Sequence, residues 1–77
     1  MYQEHEVVVL RRDLPDSELV RGDVGAVVGV YVSGGYEVEF TAADGNTVAV
    51  VTLVEEDIRP RRRREILHVR EIAQTAS

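Results

Sequence analysis

The chain contains no cysteine and no tryptophan, and its basic residues are all arginine. Neither a disulfide framework nor a thiolate metal site is available to staple so small a core, so apolar packing has to hold it. Aromatics are scarce: Tyr2, Tyr31, Tyr36 and Phe40 are all there are, which is poor material for stacking nucleic-acid bases. No apolar run approaches the roughly 18 residues of a membrane span. The opening Met1-Tyr2-Gln3-Glu4-His5-Glu6 lacks the basic start and apolar centre of a signal peptide, so a cytoplasmic protein without membrane contact is expected.

What the chain does have is valine, and valine at alternate positions. Val24, Ala26, Val28, Val30 and Val32 fall on one face of an extended strand, with Gly25 and Gly29 opposite. Tyr36, Val38 and Phe40 fall on one face of the next, with Glu37 and Glu39 projecting to solvent between them. Ser33-Gly34-Gly35 joins the two as a tight reversal, because adjacent glycines supply the positive φ angles it needs. A glycine inside a strand marks a bend or the close approach of another backbone.

The same reasoning places the remaining elements. His5 to Leu10 is too apolar for a surface strand and is assigned to the core. Leu14 to Leu19 makes one helical turn that starts at Pro15, with Leu14 and Leu19 folding back on the core. Ala42 to Asn46 is a second reversal, carrying Asp44-Gly45. Thr47 to Val54 is a fourth strand in which Val48 and Val50 share one face while Val51 and Leu53 share the other; a bulge between Val50 and Thr52 is expected to swap the parity. Glu55 to Asp57 suggests a 3₁₀ turn, and Ile58-Arg59 a short fifth strand limited by Pro60. Strand spacing, a long first loop and the late 3₁₀ turn outline an all-β, SH3-like five-stranded barrel over residues 1–60.

Charge divides the chain at the same place. Residues 1–58 hold twelve Asp and Glu against Arg11, Arg12 and Arg21, a net of −9, whereas residues 59–77 hold six Arg against Glu65 and Glu71, a net of +4. After Arg61 to Arg64, the residues Ile66, Val69, Ile72 and Ala73 recur at helical spacing, which predicts a short amphipathic C-terminal helix within an Arg-rich segment, 61–77. Four arginines at a helix N-terminus oppose the macrodipole, and the acidic body is one candidate to relieve them.

The chemistry-bearing residues give no catalytic set. His5 and His68 stand at opposite ends of the chain, and a metal needs three or four convergent ligands, so neither metal nor cofactor is expected. Ser17 and Ser33 lie in turns with no neighbouring base, and the paired carboxylates lie on exposed strands and loops where nothing drives their pKa values apart. The expected role is therefore protein interaction through Leu14, Leu19, Tyr31, Ile66, Val69 and Ile72, with a homodimer through the C-terminal helix as one outcome. The alternative is nucleic-acid binding by Arg59, Arg61, Arg62, Arg63 and Arg64, which the acidic body disfavours.

Leu14-Pro15, Gly22-Asp23-Val24-Gly25-Ala26-Val27-Val28, Tyr36-Glu37-Val38-Glu39-Phe40, Asp44-Gly45, Thr47 to Leu53 and Ile58-Arg59-Pro60 together resemble a family of small bacterial proteins catalogued as a domain of unknown function. The layout is also similar to the SH3-like barrel of the nitrile hydratase β subunit and of a photosystem accessory subunit. That resemblance implies a structural partner of a larger assembly with no chemistry of its own, and for some family members a toxin-neutralising role. The Gly22 to Val28 phrase is similar, too, to a glycine-containing motif of ribosomal and transcription-factor barrels, which implies nucleic acid as a partner.

Overall fold

Runs of valine stiff at χ1 favour the pleated, half-buried environment of a sheet, and the chain forms one. The computed structural model describes residues 1–72. Five strands, β1 (Val7–Leu10), β2 (Val24–Val30), β3 (Tyr36–Thr41), β4 (Thr47–Leu53) and β5 (Ile58–Pro60), pair antiparallel in the order β4-β3-β2-β1-β5. Short 3₁₀ turns at Pro15–Ser17 and Glu55–Asp57 interrupt the first and last connections. No helix among the described residues is long and apolar enough to cross a membrane.

One core collects side chains from every strand: Val8 and Leu10 of β1, Val27 of β2, Tyr36, Val38 and Phe40 of β3, Leu53 of β4 and Ile58 of β5, closed by Leu19 from the first loop. Leu14 packs beside Leu19 through a backbone bridge, so the loop folds back as the sequence predicts. At the N-terminus the Tyr2 ring meets Tyr36 edge-on, centroids 5.3 Å apart, and the Tyr36 hydroxyl donates to Glu55 at 2.9 Å.

Four expectations are corrected. The sheet is not closed into a barrel: β4 and β5 are its two edges and do not pair with each other, although Leu53 and Ile58 meet in the core. The parity swap in β4 lies nearer its start, where Val48 is the extra residue between the pairs Phe40↔Ala49 and Thr41↔Thr47, while register runs unbroken from Ala49 to Leu53. Ala49, Val51 and Leu53 consequently face the core and Val50 faces out.

In β2 the valines and glycines do not keep to separate faces. Gly25 and Val27 are buried and face the core; Val28, 40% exposed, is the extra residue where the β2–β3 register shifts, and beyond it Gly29 lies opposite Glu37 while Val30, 47% exposed, lies opposite Tyr36. Gly25 contributes space in place of a side chain: a Cβ there would lie 2.8 Å from Phe40 Cε2 and 2.9 Å from the Glu39 carbonyl oxygen.

Finally, residues 61–72 form no helix. A dozen residues give few intrahelical bonds for a costly nucleus, and the arginines at the would-be N-terminus oppose the dipole. Ion pairs to the body win instead. The helical face expected to carry a homodimer contact is therefore absent, and Ala73 lies outside the described residues.

Candidate binding surface

Residues 65–72 run as a strap along one end of the sheet, held at two points. The first is Glu65, whose carboxylate accepts from Arg59 Nη1 at 2.9 Å and Nη2 at 2.5 Å and from the Arg62 N–H at 2.6 Å. The Arg59 fork matches a carboxylate in two parallel bonds, and with Arg62 it lowers the Glu65 pKa to about 2.

The second is Asp23. Gly22, at φ +99°, turns the chain into β2 and leaves Asp23 beneath the loop, where Leu10 donates its N–H to the Asp23 carbonyl at 2.8 Å. The carboxylate is buried and fully used: Oδ2 accepts the Val20 N–H at 2.8 Å and Arg70 Nη2 at 2.5 Å, while Oδ1 accepts Arg70 Nε at 2.8 Å and meets His68 Nε2 at 2.9 Å. Arg70 also donates to the Glu18 carbonyl at 2.8 Å, and Glu18 holds a left-handed φ of +58°. Burial pushes the Asp23 carboxyl up, but the hydrogen bonds from Arg70, Val20 and His68 outweigh it and hold it below the usual range.

Between and beyond these anchors the strap shows its apolar side chains to water. Ile66 and Val69 are each 97% exposed and Leu67 48%, whereas Arg70 and Ile72 are half-buried. Leu67 to Ile72 also border an open groove whose floor includes Leu19, Val24, Phe40 and Val48.

The expected contact residues do not form one patch. Leu19 is 2% exposed and belongs to the core, so it is not a contact residue. Tyr31, half-exposed in the β2–β3 loop, stands at the far end of β2 from Asp23, roughly 25 Å away by strand rise. Ile66 and Val69 both stand exposed on the strap, while Ile72 is half-buried. Of the arginines, Arg59 is committed to Glu65, while Arg61, Arg62, Arg63 and Arg64 are exposed.

Glu37 and Glu39 are half-buried rather than projecting freely, taking hydrogen bonds from Thr52 and Thr47 across the β3–β4 ladder. His5, at φ +72°, donates its N–H to the Val27 carbonyl at 2.6 Å, and His68 lies against Asp23. Sequence reasoning passed over Asp23, Glu65 and Arg70. The available signal was the acidic body set against a basic tail, which named the attraction and not its residues.

Fold and surface together define a small all-β domain with a C-terminal strap pinned by ion pairs. The chain belongs to the family described as a domain of unknown function (DUF4926), which matches residues 4–60. The strap lies beyond the matched stretch. No curated protein and no solved structure matches the chain.

Proposed function

We propose that this protein is a non-catalytic protein-interaction module that offers its strap to a partner, as a supporting or toxin-neutralising subunit of a small bacterial complex. The observation that carries this reading is the near-complete exposure of Ile66 and Val69 on a segment whose flanking residues, Glu65 and Arg70, are tied to the body. Burying such a side chain is worth about 1.5–3 kcal/mol, and a segment already held in place loses less entropy on binding than a free tail does. The resemblance of residues 5–60 to accessory β domains supports a partner role without chemistry.

The test compares the intact chain with an Ile66→Ser/Val69→Ser double variant as bait in the native host, with the product of the adjacent gene examined first. A specific protein partner held by the intact chain is expected to bind roughly tenfold or more weakly to the double variant, while the melting temperature of the bait is unchanged. Equal capture by both baits rejects the strap as the contact. A shift of nucleic acid at moderate salt that disappears when Arg61 to Arg64 are replaced by glutamine would move the reading to nucleic-acid binding.

A further inference from the structure

The outer face of β1 carries a feature that the strap does not account for. Val9 pairs with Arg59 on the side of the sheet away from Val8 and Leu10. It floors a cavity of about 380 Å³ lined by four arginines: Arg11 just past β1, Arg21 in the loop before β2, Arg59 in β5 and Arg62 beyond it. Arg11 keeps the Val9 side by alternation, because the Asp57 carbonyl still holds its N–H at 2.8 Å. Elsewhere on the acidic body arginines meet carboxylates, Arg12 at Asp57 and Arg70 at Asp23. Around this cavity most do not. Glu65 takes the Arg59 fork, and Asp13 takes only the Arg21 backbone N–H, at 2.9 Å. Among the described residues Arg11, Arg21 and Arg62 make no ion pair, and no Asp or Glu lines the cavity.

We propose that this cavity binds the oligophosphate chain of a small molecule, whether inorganic or carried by a nucleotide. Four guanidinium charges against the one Glu65 carboxylate leave +3 in a concavity on a body that is otherwise acidic. Charges of one sign brought together from separate segments repel, and a bound anion removes that repulsion. A phosphate monoester supplies at most about two negative charges, whereas a chain of phosphoryl groups supplies one for each unpaired arginine. Each guanidinium also presents its N–H donors in a planar fork that matches phosphate oxygens.

Size and lining narrow the class further. The volume stands at the low end of small-ligand pockets, room for a short run of phosphoryl groups and not for a polymer. Among the described residues no aromatic side chain lines it, so a base finds nothing there to stack on. The Gly22 N–H is already given to the Leu10 carbonyl at 2.8 Å, which leaves recognition to the side chains of Arg11, Arg21 and Arg62. Arg62 also borders an adjoining hollow with Arg61 and Arg63, whereas Arg64 lines neither. Ile66 and Val69 take no part in the cavity, so the site stands or falls apart from the strap's partner.

Titration calorimetry of the full chain at low salt tests the proposal, with sodium tripolyphosphate, ATP, AMP, citrate and a thymidine oligonucleotide as probes. Tripolyphosphate and ATP are expected to bind one per chain and to raise its melting temperature, with AMP and citrate roughly tenfold weaker or more. Whichever of the first two binds more tightly identifies the source of the chain. Arg11→Gln, Arg21→Gln and Arg62→Gln should each weaken tripolyphosphate about fivefold or more, with the urea midpoint of the free protein unchanged because all three side chains are exposed. Arg64→Gln removes the same charge from outside the cavity and should cost less than about twofold. No binding and no thermal shift with either polyphosphate, citrate bound as tightly, or Arg64→Gln as damaging as Arg62→Gln would each overturn the proposal. So would an oligonucleotide bound more tightly than tripolyphosphate, which would assign the arginine segment to nucleic acid instead.

Discussion

Gly25→Val is expected to leave the domain unfolded at room temperature, or to cost about 3 kcal/mol or more if it folds at all. A Cβ at position 25 would stand 2.8 Å from Phe40 Cε2, 2.8 Å from Val38 Cγ1 and 2.9 Å from the carbonyl oxygen of Glu39. None of the three can yield easily. Phe40 and Val38 are 3% and 0% exposed, and Glu39 belongs to the strand hydrogen-bonded to β2. A total stability of roughly 4–12 kcal/mol, the usual figure for a chain of this length, leaves little margin for such overpacking. Gly29 is the internal control: a Cβ there meets only Glu37, at 3.4 Å, so Gly29→Ala is expected to be neutral or to stabilise by up to about 1 kcal/mol through the unfolded chain. Urea unfolding of Gly25→Ala, Gly25→Val and Gly29→Ala decides it. A Gly25→Ala midpoint equal to that of the unaltered protein would show that the β2–β3 contact is looser than described.

Much of this architecture could be read in advance, and what could not be has identifiable causes. The strands declared themselves because β-branched residues at period two have few other uses, and the clean alternation of Tyr36, Glu37, Val38, Glu39 and Phe40 fixed its inward face without ambiguity. Both 3₁₀ turns followed from local residues, Pro15 in one and the acidic triplet before Ile58 in the other. The even alternation read in β2 fails at Val28, where pairing with β3 inserts an extra residue, and a glycine counts as nothing in a hydrophobic pattern, although at Gly25 the absence of a side chain is what admits Phe40. Near Val48 the pattern permits a parity swap at more than one step, and only pairing with β3 chooses Thr41↔Thr47. Closure of the sheet depends on whether β4 meets β5, and strand number and spacing do not contain that information.

The strap shows the largest gap between local pattern and outcome. Ile66, Val69 and Ile72 are three apart, a spacing that suits a helical face, yet spacing cannot register partners that are distant in sequence. Asp23 reaches His68 across 45 positions and Arg70 across 47. A carboxylate taking four bonds in a half-dry site offers Arg70 more than solvent does, and Arg59 draws Glu65 in the same way. The charge split between body and tail was therefore the informative feature, and the apolar spacing misled. The arrangement also explains how three large apolar side chains come to be exposed on a small protein: the polar side chains take the inward positions because their partners are buried there.

Asp23→Ala should accordingly release the strap and lower stability by about 2–3 kcal/mol. The substitution strands the Val20 N–H and leaves Arg70, 29% exposed in its side chain, without its carboxylate, and breaking one side of a half-buried pair costs more than forming it gained. Arg70→Met separates the two effects, since the strap should loosen while Asp23 keeps its Val20 bond, and the cost, about 1–2 kcal/mol, is then that of leaving the Asp23 carboxylate without its guanidinium until the loosened strap lets water reach it. Tryptic cleavage after Arg70 reports the strap directly, slow in the unaltered protein and fast in Asp23→Ala. Acid gives an independent reading. Asp23 titrates below its ordinary 3.8 in the folded chain, and Glu65 falls from 4.5 to about 2. Both groups bind protons more weakly folded than unfolded, so their contribution is complete above the ordinary carboxylate values and is lost as pH falls through the lowered ones. The strap should stay docked at pH 5 and loosen between about 4.5 and about 2, with a shallower acid loss in Asp23→Ala. If Asp23→Ala showed the cleavage rate and acid profile of the unaltered protein, Asp23 would not be the anchor, and the exposure of Ile66 and Val69 would need another cause.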